Sequence, residues 1–223
     1  MSTYGVILAA RFNSSRLPGK AMKPINGIPT IVYILRRLST SNKCAKIILA
    51  TSNETTDDII AETGRKEGVE VFRGSLEDVL GRFANAAKEH GLDYMVRATG
   101  DCPFINGTLL DYVIEQCEQN EGFDLLTTKP NFPKGLDLEV ITNDLLQKIN
   151  VDSNLQEDKE HIFNYVYRNE EANNYKIVRI TPYSSIEGIE GPFLLDDQED
   201  YDQITSLLEG QDIQVEPEVA VKA

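Results

Sequence analysis

Residues 4–10 read YGVILAA, and the chain leaves them through RFNSSRLPGK, residues 11–20. A run with no charged position suits a strand covered on both faces, because a half-exposed strand would alternate apolar and polar residues. The residues that follow are of another kind: two arginines, two serines, a Pro-Gly turn and a lysine. Small residues let backbone N–H groups approach phosphate oxygens, and the Ser14 and Ser15 hydroxyls add donors. Arg11, Arg16 and Lys20 supply charge-assisted hydrogen bonds of roughly 1.5–3 kcal/mol each. A buried strand opening into such a loop predicts an α/β fold that holds a polyphosphate at the strand's carboxyl end. It is not a Walker loop, since Ser14 stands where the first glycine belongs and Ala21 where Ser or Thr does, and no GxGxxG follows the strand. P-loop ATPases and ordinary dehydrogenases therefore lose ground.

Working outward, residues 47–51, 69–72 and 94–97 repeat the short β-branched pattern, and helical periodicity separates them. Residues 29–38 place apolar side chains at Ile31, Ile34, Leu35 and Leu38. A second helix opens with capping-box spacing from Thr55 to Asp58, and a third opens at Ser75 and runs to about His90, whose place at the helix end suits a positive charge. This alternation predicts a Rossmann-like, mostly parallel sheet flanked by helices. Beyond Asn120 the rhythm changes. Residues 123–127 read as a strand, 129–135 as a Pro-rich loop and 136–142 as a half-exposed antiparallel strand, so a small antiparallel insertion is expected. A helix over 156–168, strands at 176–181 and 193–195 and a closing helix to Leu208 complete the expectation, with 215–223 a strand or a loose tail. No linker divides the chain, so residues 1–223 are read as one domain with an acceptor-binding elaboration at about 123–181.

The 223 residues carry 22 Lys and Arg against 36 Asp and Glu, a net charge of −14. Such a field repels nucleic acid and anionic membrane surfaces. Yet residues 1–53 hold eight basic and no acidic side chains, a local positive site that suits a small polyanion such as a nucleotide. No apolar run reaches the roughly 18 residues that span a bilayer, and no signal peptide is evident, so a cytosolic protein is expected. Cys44, Cys102 and Cys117 are too few and wrongly spaced for a zinc site or a disulfide framework and read as free thiols.

Further along, Asp101 lies in a Gly100-Asp101-Cys102-Pro103 turn just past a strand, where its carboxylate either faces a phosphate-bound Mg²⁺ or caps a helix starting near Thr108. His161 and Tyr165 are four apart and share a face of the expected helix, where they can bind a carboxylate or hydroxyls. Asp137 and Glu139 alternate along a strand and share a face, toward solvent or an acceptor pocket.

The loop resembles the AARxxSxRLPGK signature of cytidylyltransferases that activate acidic sugars, most closely the spore-coat polysaccharide branch of the SpsF type. The similarity continues through FRGSLEDVLGRF (72–83), VRATGDCPFI (96–105), FPKGLDLEV (132–140), EHIFNYVYRN (160–169) and LLDDQEDYDQI (194–204), covering nearly the whole chain in order. The resemblance implies a nucleotidyltransferase fold and transfer of CMP from CTP to an acidic sugar or related surface-polysaccharide precursor. It also implies pyrophosphate release, Mg²⁺ as cofactor and a homodimer. It implies that Asp101 and Asp196 meet at the metal, with Arg11, Lys20 and Asp101 as the catalytic groups. Base and ribose are then expected at the Ala9 and Ala10 backbone and at Arg73, Asp78 and Arg97, unless Arg73 is surface charge and Asp78 a cap partner for Ser75, and the acceptor at Asp137, Glu139, His161 and Tyr165. Relatives read Asp-Thr-Pro-Glu-Asp where this chain has Asp196-Asp197-Gln198-Glu199-Asp200. The extra carboxylate of Asp197 either joins the metal shell or favours a helix N-terminus, the more ordinary role.

A nucleotide-sugar glycosyltransferase also pairs an α/β nucleotide fold with carboxylate-bound metal, but releases a nucleoside phosphate rather than pyrophosphate. The basic loop favours a triphosphate. A non-catalytic nucleotide-binding module would need a broken metal site, and both aspartates are present.

Overall fold

The uncharged run YGVILA forms β1 (Tyr4–Ala9), whose first five residues are buried. The computed structural model describes residues 2–221. After β1 come a short 3-10 turn at Lys20–Met22 and a two-stranded ribbon, β2 (Pro24–Ile25) and β3 (Ile28–Pro29). Helices and strands then alternate: α1 (Thr30–Leu38), β4 (Lys46–Ser52), α2 (Asp58–Lys66), β5 (Glu70–Gly74), α3 (Val79–Glu89), β6 (Tyr94–Thr99) and α4 (Gly107–Gln119). The second half contains β7 (Leu125–Thr127), β8 (Glu139–Thr142), α5 (Asn143–Asp152), α6 (Gln156–Glu160), α7 (Asn164–Arg168), β9 (Ile177–Arg179), α8 (Gln198–Leu208) and α9 (Pro217–Ala220).

The seven-stranded sheet runs β5-β4-β1-β6-β8-β7-β9. β1 pairs in parallel with β4 and β6, and β4 pairs in parallel with β5. β8 is antiparallel to both neighbours, and β9 pairs in parallel with β7. Alternate residues of β1 serve two cores. Val6 and Leu8 pack with residues of α1 and α4, while Ile7 packs with residues of α3 and α5. Both faces are covered, which is why β1 tolerates no polar alternation; each such side chain contributes about 1.5–3 kcal/mol on burial. Among the described residues no helix is long and apolar enough to cross a membrane, and all three cysteines are free.

Several local expectations differ from the structure. β8 is antiparallel as its pattern predicts, but it is interior rather than half-exposed. The helix expected over 156–168 is broken into α6 and α7, so that Ile162, Phe163 and Val166 all reach the second core. Residues 193–195 form no strand. Thr55 caps nothing; it begins a 3-10 turn ahead of α2. α5 is unanticipated and starts where the Thr142 hydroxyl accepts from Leu145 N. The tail contains the short helix α9, and residues 222–223 of the expected strand or loose tail lie outside the described residues.

Candidate active site

The carboxyl ends of β1 and β6 open onto a cleft of about 440 Å³. Five cations and three carboxylates line it, so a locally positive pocket sits in a protein of net charge −14. The loop after β1 forms one wall, with Arg11, Ser14, Ser15, Arg16 and Lys20 all on the cleft. Its shape is held by Gly19 N donating to Phe12 O at 2.8 Å and by Phe12 N donating to Asp57 Oδ1 at 2.7 Å.

Asp57 escapes sequence reasoning, which treats that stretch as a helix start. It is 1% exposed, and its second oxygen accepts from Thr51 Oγ1, Ser52 N and Ser52 Oγ at the end of β4. Desolvation pushes its carboxyl up, but the bonds from Ser52, Phe12 N and Thr51 outweigh this and hold it below the usual carboxylate range. The one available signal was a polar Thr-Ser pair ending an apolar strand.

The opposite wall brings Asp101 and Asp196 together. Lys20 Nζ lies 3.1 Å from Asp101 Oδ2 and 3.8 Å from Asp196 Oδ1, and donates to Leu195 O at 3.0 Å. Leu195 N donates to Asp101 O at 2.7 Å, which ties the two segments directly. Arg16 Nη2 lies 2.6 Å from Asp196 Oδ2. Gly135 makes the approach possible: its φ is +90°, and a Cβ there would stand 2.3 Å from the Phe193 carbonyl carbon.

Neither aspartate is spent on a helix. Asn106 caps α4 by accepting from Leu109 N at 2.9 Å, and Asp197 caps α8 in a capping box with Asp200. Desolvation raises the Asp101 carboxyl, but the Lys20 charge leads a larger opposing set, with bonding from Thr99 and Lys20 and the Arg97 charge, so the group is held below its ordinary value. It is ionised at neutral pH. Among the described residues no group of three or more His, Cys, Asp and Glu side chains could hold a metal. Two hard carboxylates converging on one ammonium nonetheless fit Mg²⁺, which commonly takes one or two carboxylates and completes its shell with phosphates and water.

On the side of β6, Arg97 lines the cleft. Its Nη1 lies 3.0 Å from Glu139 Oε2, and Lys129 Nζ lies 3.2 Å from the same oxygen. Tyr167 OH donates to Glu139 Oε1 at 2.7 Å. Glu139 is 2% exposed, so it holds two cations in place rather than facing an acceptor. Asp137 is half-buried beside it, off the cleft lining, and accepts from Gly135 N at 3.3 Å. Desolvation pushes its carboxyl up, with Glu139 adding to the rise against Lys129, Gly135 N and Arg97.

Ala9, Ala10 and His161 line the cleft. Tyr165 does not share a helix face with His161; it lies past the break and packs against the second core. Arg73 turns away from the cleft, donating to Ser52 O and Glu54 O at 2.8 Å and pairing with Asp58 at 2.6 Å. Asp78 is the N-cap of α3, accepting from Gly81 N at 2.8 Å. Arg82, unremarked in the sequence, takes a place on the cleft wall with Val79. Its signal was the spacing of three from Val79, which puts both on one helix face.

Comparison with known proteins gives a consistent picture. A family model described as "Cytidylyltransferase" matches residues 5–218. The spore coat polysaccharide biosynthesis protein SpsF of Bacillus subtilis is 33% identical over 209 residues, 90% of this chain and 84% of that protein. A cytidylyltransferase structure from Leptospira borgpetersenii superposes with a TM-score of 0.91 at 30% identity, covering 100% of this chain and 93% of the other. CMP:2-keto-3-deoxy-manno-octonic acid synthetase, solved in complex with CTP, shares the fold with a TM-score of 0.70 at 15% identity, covering 94% of this chain and all of that one.

Proposed function

The chain belongs to the cytidylyltransferase family, and from that membership we propose that it transfers CMP from CTP to a hydroxyl of an acidic sugar or related surface-polysaccharide precursor, with Mg²⁺ as cofactor. The convergence of Lys20, Asp101 and Asp196 at the mouth of the phosphate loop carries this reading. The acceptor oxygen forms a bond to the α-phosphorus, the bond from that phosphorus to the β-bridging oxygen breaks, and pyrophosphate leaves with its electron pair. The acceptor hydroxyl gives up its proton to solvent.

Arg11, Arg16, Lys20 and the Ser14 and Ser15 hydroxyls meet the triphosphate and stabilise the charge that gathers on it as the bond breaks. Asp101 and Asp196 would hold Mg²⁺, which supplies further charge neutralisation on the phosphates when bound. Arg97, positioned by Glu139, and His161 border the remaining space, where an acceptor carboxylate finds positive and polar groups. The reading for the acceptor is supported by the keto-acid synthetase that shares the fold.

The test is a pyrophosphate-release assay with CTP, UTP, GTP and ATP against a panel of sugars and sugar acids, with and without Mg²⁺. Release that needs CTP, a sugar acid and Mg²⁺ supports the proposal. Nucleoside diphosphate release from a nucleotide sugar, with no pyrophosphate from any triphosphate, would overturn it.

A further inference from the structure

We propose that Arg37 is a positioning residue for the metal site: it sets the turn that carries Asp101 and, through that turn, the spacing of Asp101 from Asp196. This rests on the metal-holding role proposed for those two aspartates. Two arginines end α1. Arg36 turns outward and pairs with Glu67 at 2.8 Å, whereas Arg37 is 0% exposed and lies off the cleft. Its Nη2 donates to Phe104 O at 3.1 Å and its Nε to Ile105 O at 3.3 Å, both in the turn between β6 and α4. Its Nη1 donates to Ile213 O, beyond α8. Glu216 and Asp212 act on its charge from farther off. Burying a guanidinium among neutral carbonyls is costly, and a well-packed apolar side chain would fill the same volume at less cost. What arginine adds is a rigid planar fork that fixes three carbonyls relative to one another.

The held turn reaches both aspartates. Cys102 N donates to Thr99 O at 3.2 Å and Ile105 N to Cys102 O at 3.3 Å, so the clamped carbonyls stand one tight turn from Asp101. The Phe104 ring meets the Phe193 ring edge-on, with centroids 5.0 Å apart, and both residues are fully buried. Phe193 precedes Asp196 by three positions, and Leu195 N closes the circuit on Asp101 O at 2.7 Å. A close-packed core has no slack to absorb a shift of Phe104, so such a shift moves both carboxylate-bearing segments. A second tie acts on the same turn: Asn106, the cap of α4, donates from Nδ2 to Glu216 Oε2 at 2.8 Å. The chain after α8 is thus fastened to the back of the site at Ile213 and Glu216. The bonds of Arg37 go to these segments rather than to the loop after β1, whose cations meet the triphosphate. Metal binding and CTP binding should therefore respond differently to a change at residue 37.

Two calorimetric titrations on the whole chain, Arg37→Lys and Leu146→Ala test this: CTP with EDTA present, and Mg²⁺ into protein saturated with CTP. Arg37→Lys keeps the charge and loses the fork. It should bind metal-free CTP within about 2-fold of the unaltered protein, while its Mg²⁺ affinity falls about 10-fold, as when a group supporting a metal ligand is removed. Leu146 is buried in the second core, on α5, so its truncation lowers Tm away from the Asp101 turn and should leave both affinities in place. If Arg37→Lys does not fold, Phe193→Leu, which leaves the bonds of Arg37 intact and removes the ring contact with Phe104, decides by the same criterion. Unchanged Mg²⁺ affinity in Arg37→Lys overturns the assignment. So does a loss of CTP and Mg²⁺ by the same factor, or an equal loss of Mg²⁺ affinity in Leu146→Ala, either of which marks general loosening. An unaltered protein whose bound CTP takes up Mg²⁺ no more tightly than free CTP sinks the metal-holding reading of Asp101 and Asp196, and this assignment with it.

Discussion

Lys20 Nζ donates to Asp101 Oδ2 at 3.1 Å across 81 positions of sequence. The same ammonium reaches Asp196 and the carbonyl before it, so one cation organises both acidic segments. Replacing Lys20 with alanine should lower turnover by about 100-fold or more, because charge on the phosphates loses its fixed partner. The pH profile should change as well. Lys20 is the leading influence that holds Asp101 below its ordinary value, against a desolvation that raises it. Without the lysine the Asp101 carboxyl rises, so the acid limb of the rate profile should move to higher pH. Pyrophosphate release measured from pH 4 to 9 checks both; an acid limb that stays in place rules out this coupling.

Asp57 fastens the loop after β1 to the end of β4, and Asp57→Asn replaces one acceptor oxygen by a donor among four donors. KM for CTP should rise more than kcat falls, since the loop loses its shape while its cations remain. The carboxyl is depressed in the folded protein, so it adds stability above its unfolded pKa that is lost as pH falls through the folded value. The variant should therefore be less stable at neutral pH, with a flatter acid arm in a plot of urea midpoint against pH. An unchanged arm would show that Asp57 adds no pH-linked stability.

Gly135 touches the carbonyl of Phe193 closely, and its φ lies in the left-handed region. Gly135→Ala should push the segment bearing Leu195 away from Asp101 and break the bond between Leu195 N and Asp101 O. Turnover should drop and the Mg²⁺ concentration for half-maximal rate should rise, although residue 135 does not line the cleft. A variant with normal magnesium dependence would mean that the segment adapts without moving Asp196.

Local signals made β1 and its loop legible, because an uncharged run and the glycine, serine and arginine chemistry after it are properties of neighbouring residues. The meeting of Asp101 with Asp196 depends on a backbone bond from Leu195 and on the room left by Gly135, neither of which has a periodic signature. The charged alternation at 136–142 suggests a half-exposed strand with Glu139 on its open face. Its Glu139 is instead neutralised inside by Arg97 and Lys129, so charge alone misjudged depth. Near the turn after β5 the sequence points to Arg73 and passes over Arg82, which lines the cleft instead. Asp58 and two carbonyls capture the first, and Gly74 makes space for the second.

Adjacent aspartates divide the labour at the start of α8, and two substitutions should separate them. Asp197 accepts from Asp200 N at 3.0 Å as the helix cap. Asp197→Ala should therefore cost about 1 kcal/mol of stability, a fall in Tm of roughly 2–4 °C for a chain of this size, with turnover kept. Asp196 faces Arg16 and Lys20 across the cleft. Arg16 is exposed, and such a pair adds at most about 1 kcal/mol, so Asp196→Asn should leave Tm almost unchanged. Its loss should appear in turnover, by about 100-fold, and in magnesium dependence, because an amide oxygen carries no charge to hold a divalent cation. Thermal unfolding and pyrophosphate release on both variants decide the assignment. If Asp197→Ala abolishes turnover while Asp196→Asn is active, the metal-holding role belongs to Asp197 and the order of the two residues must be reversed.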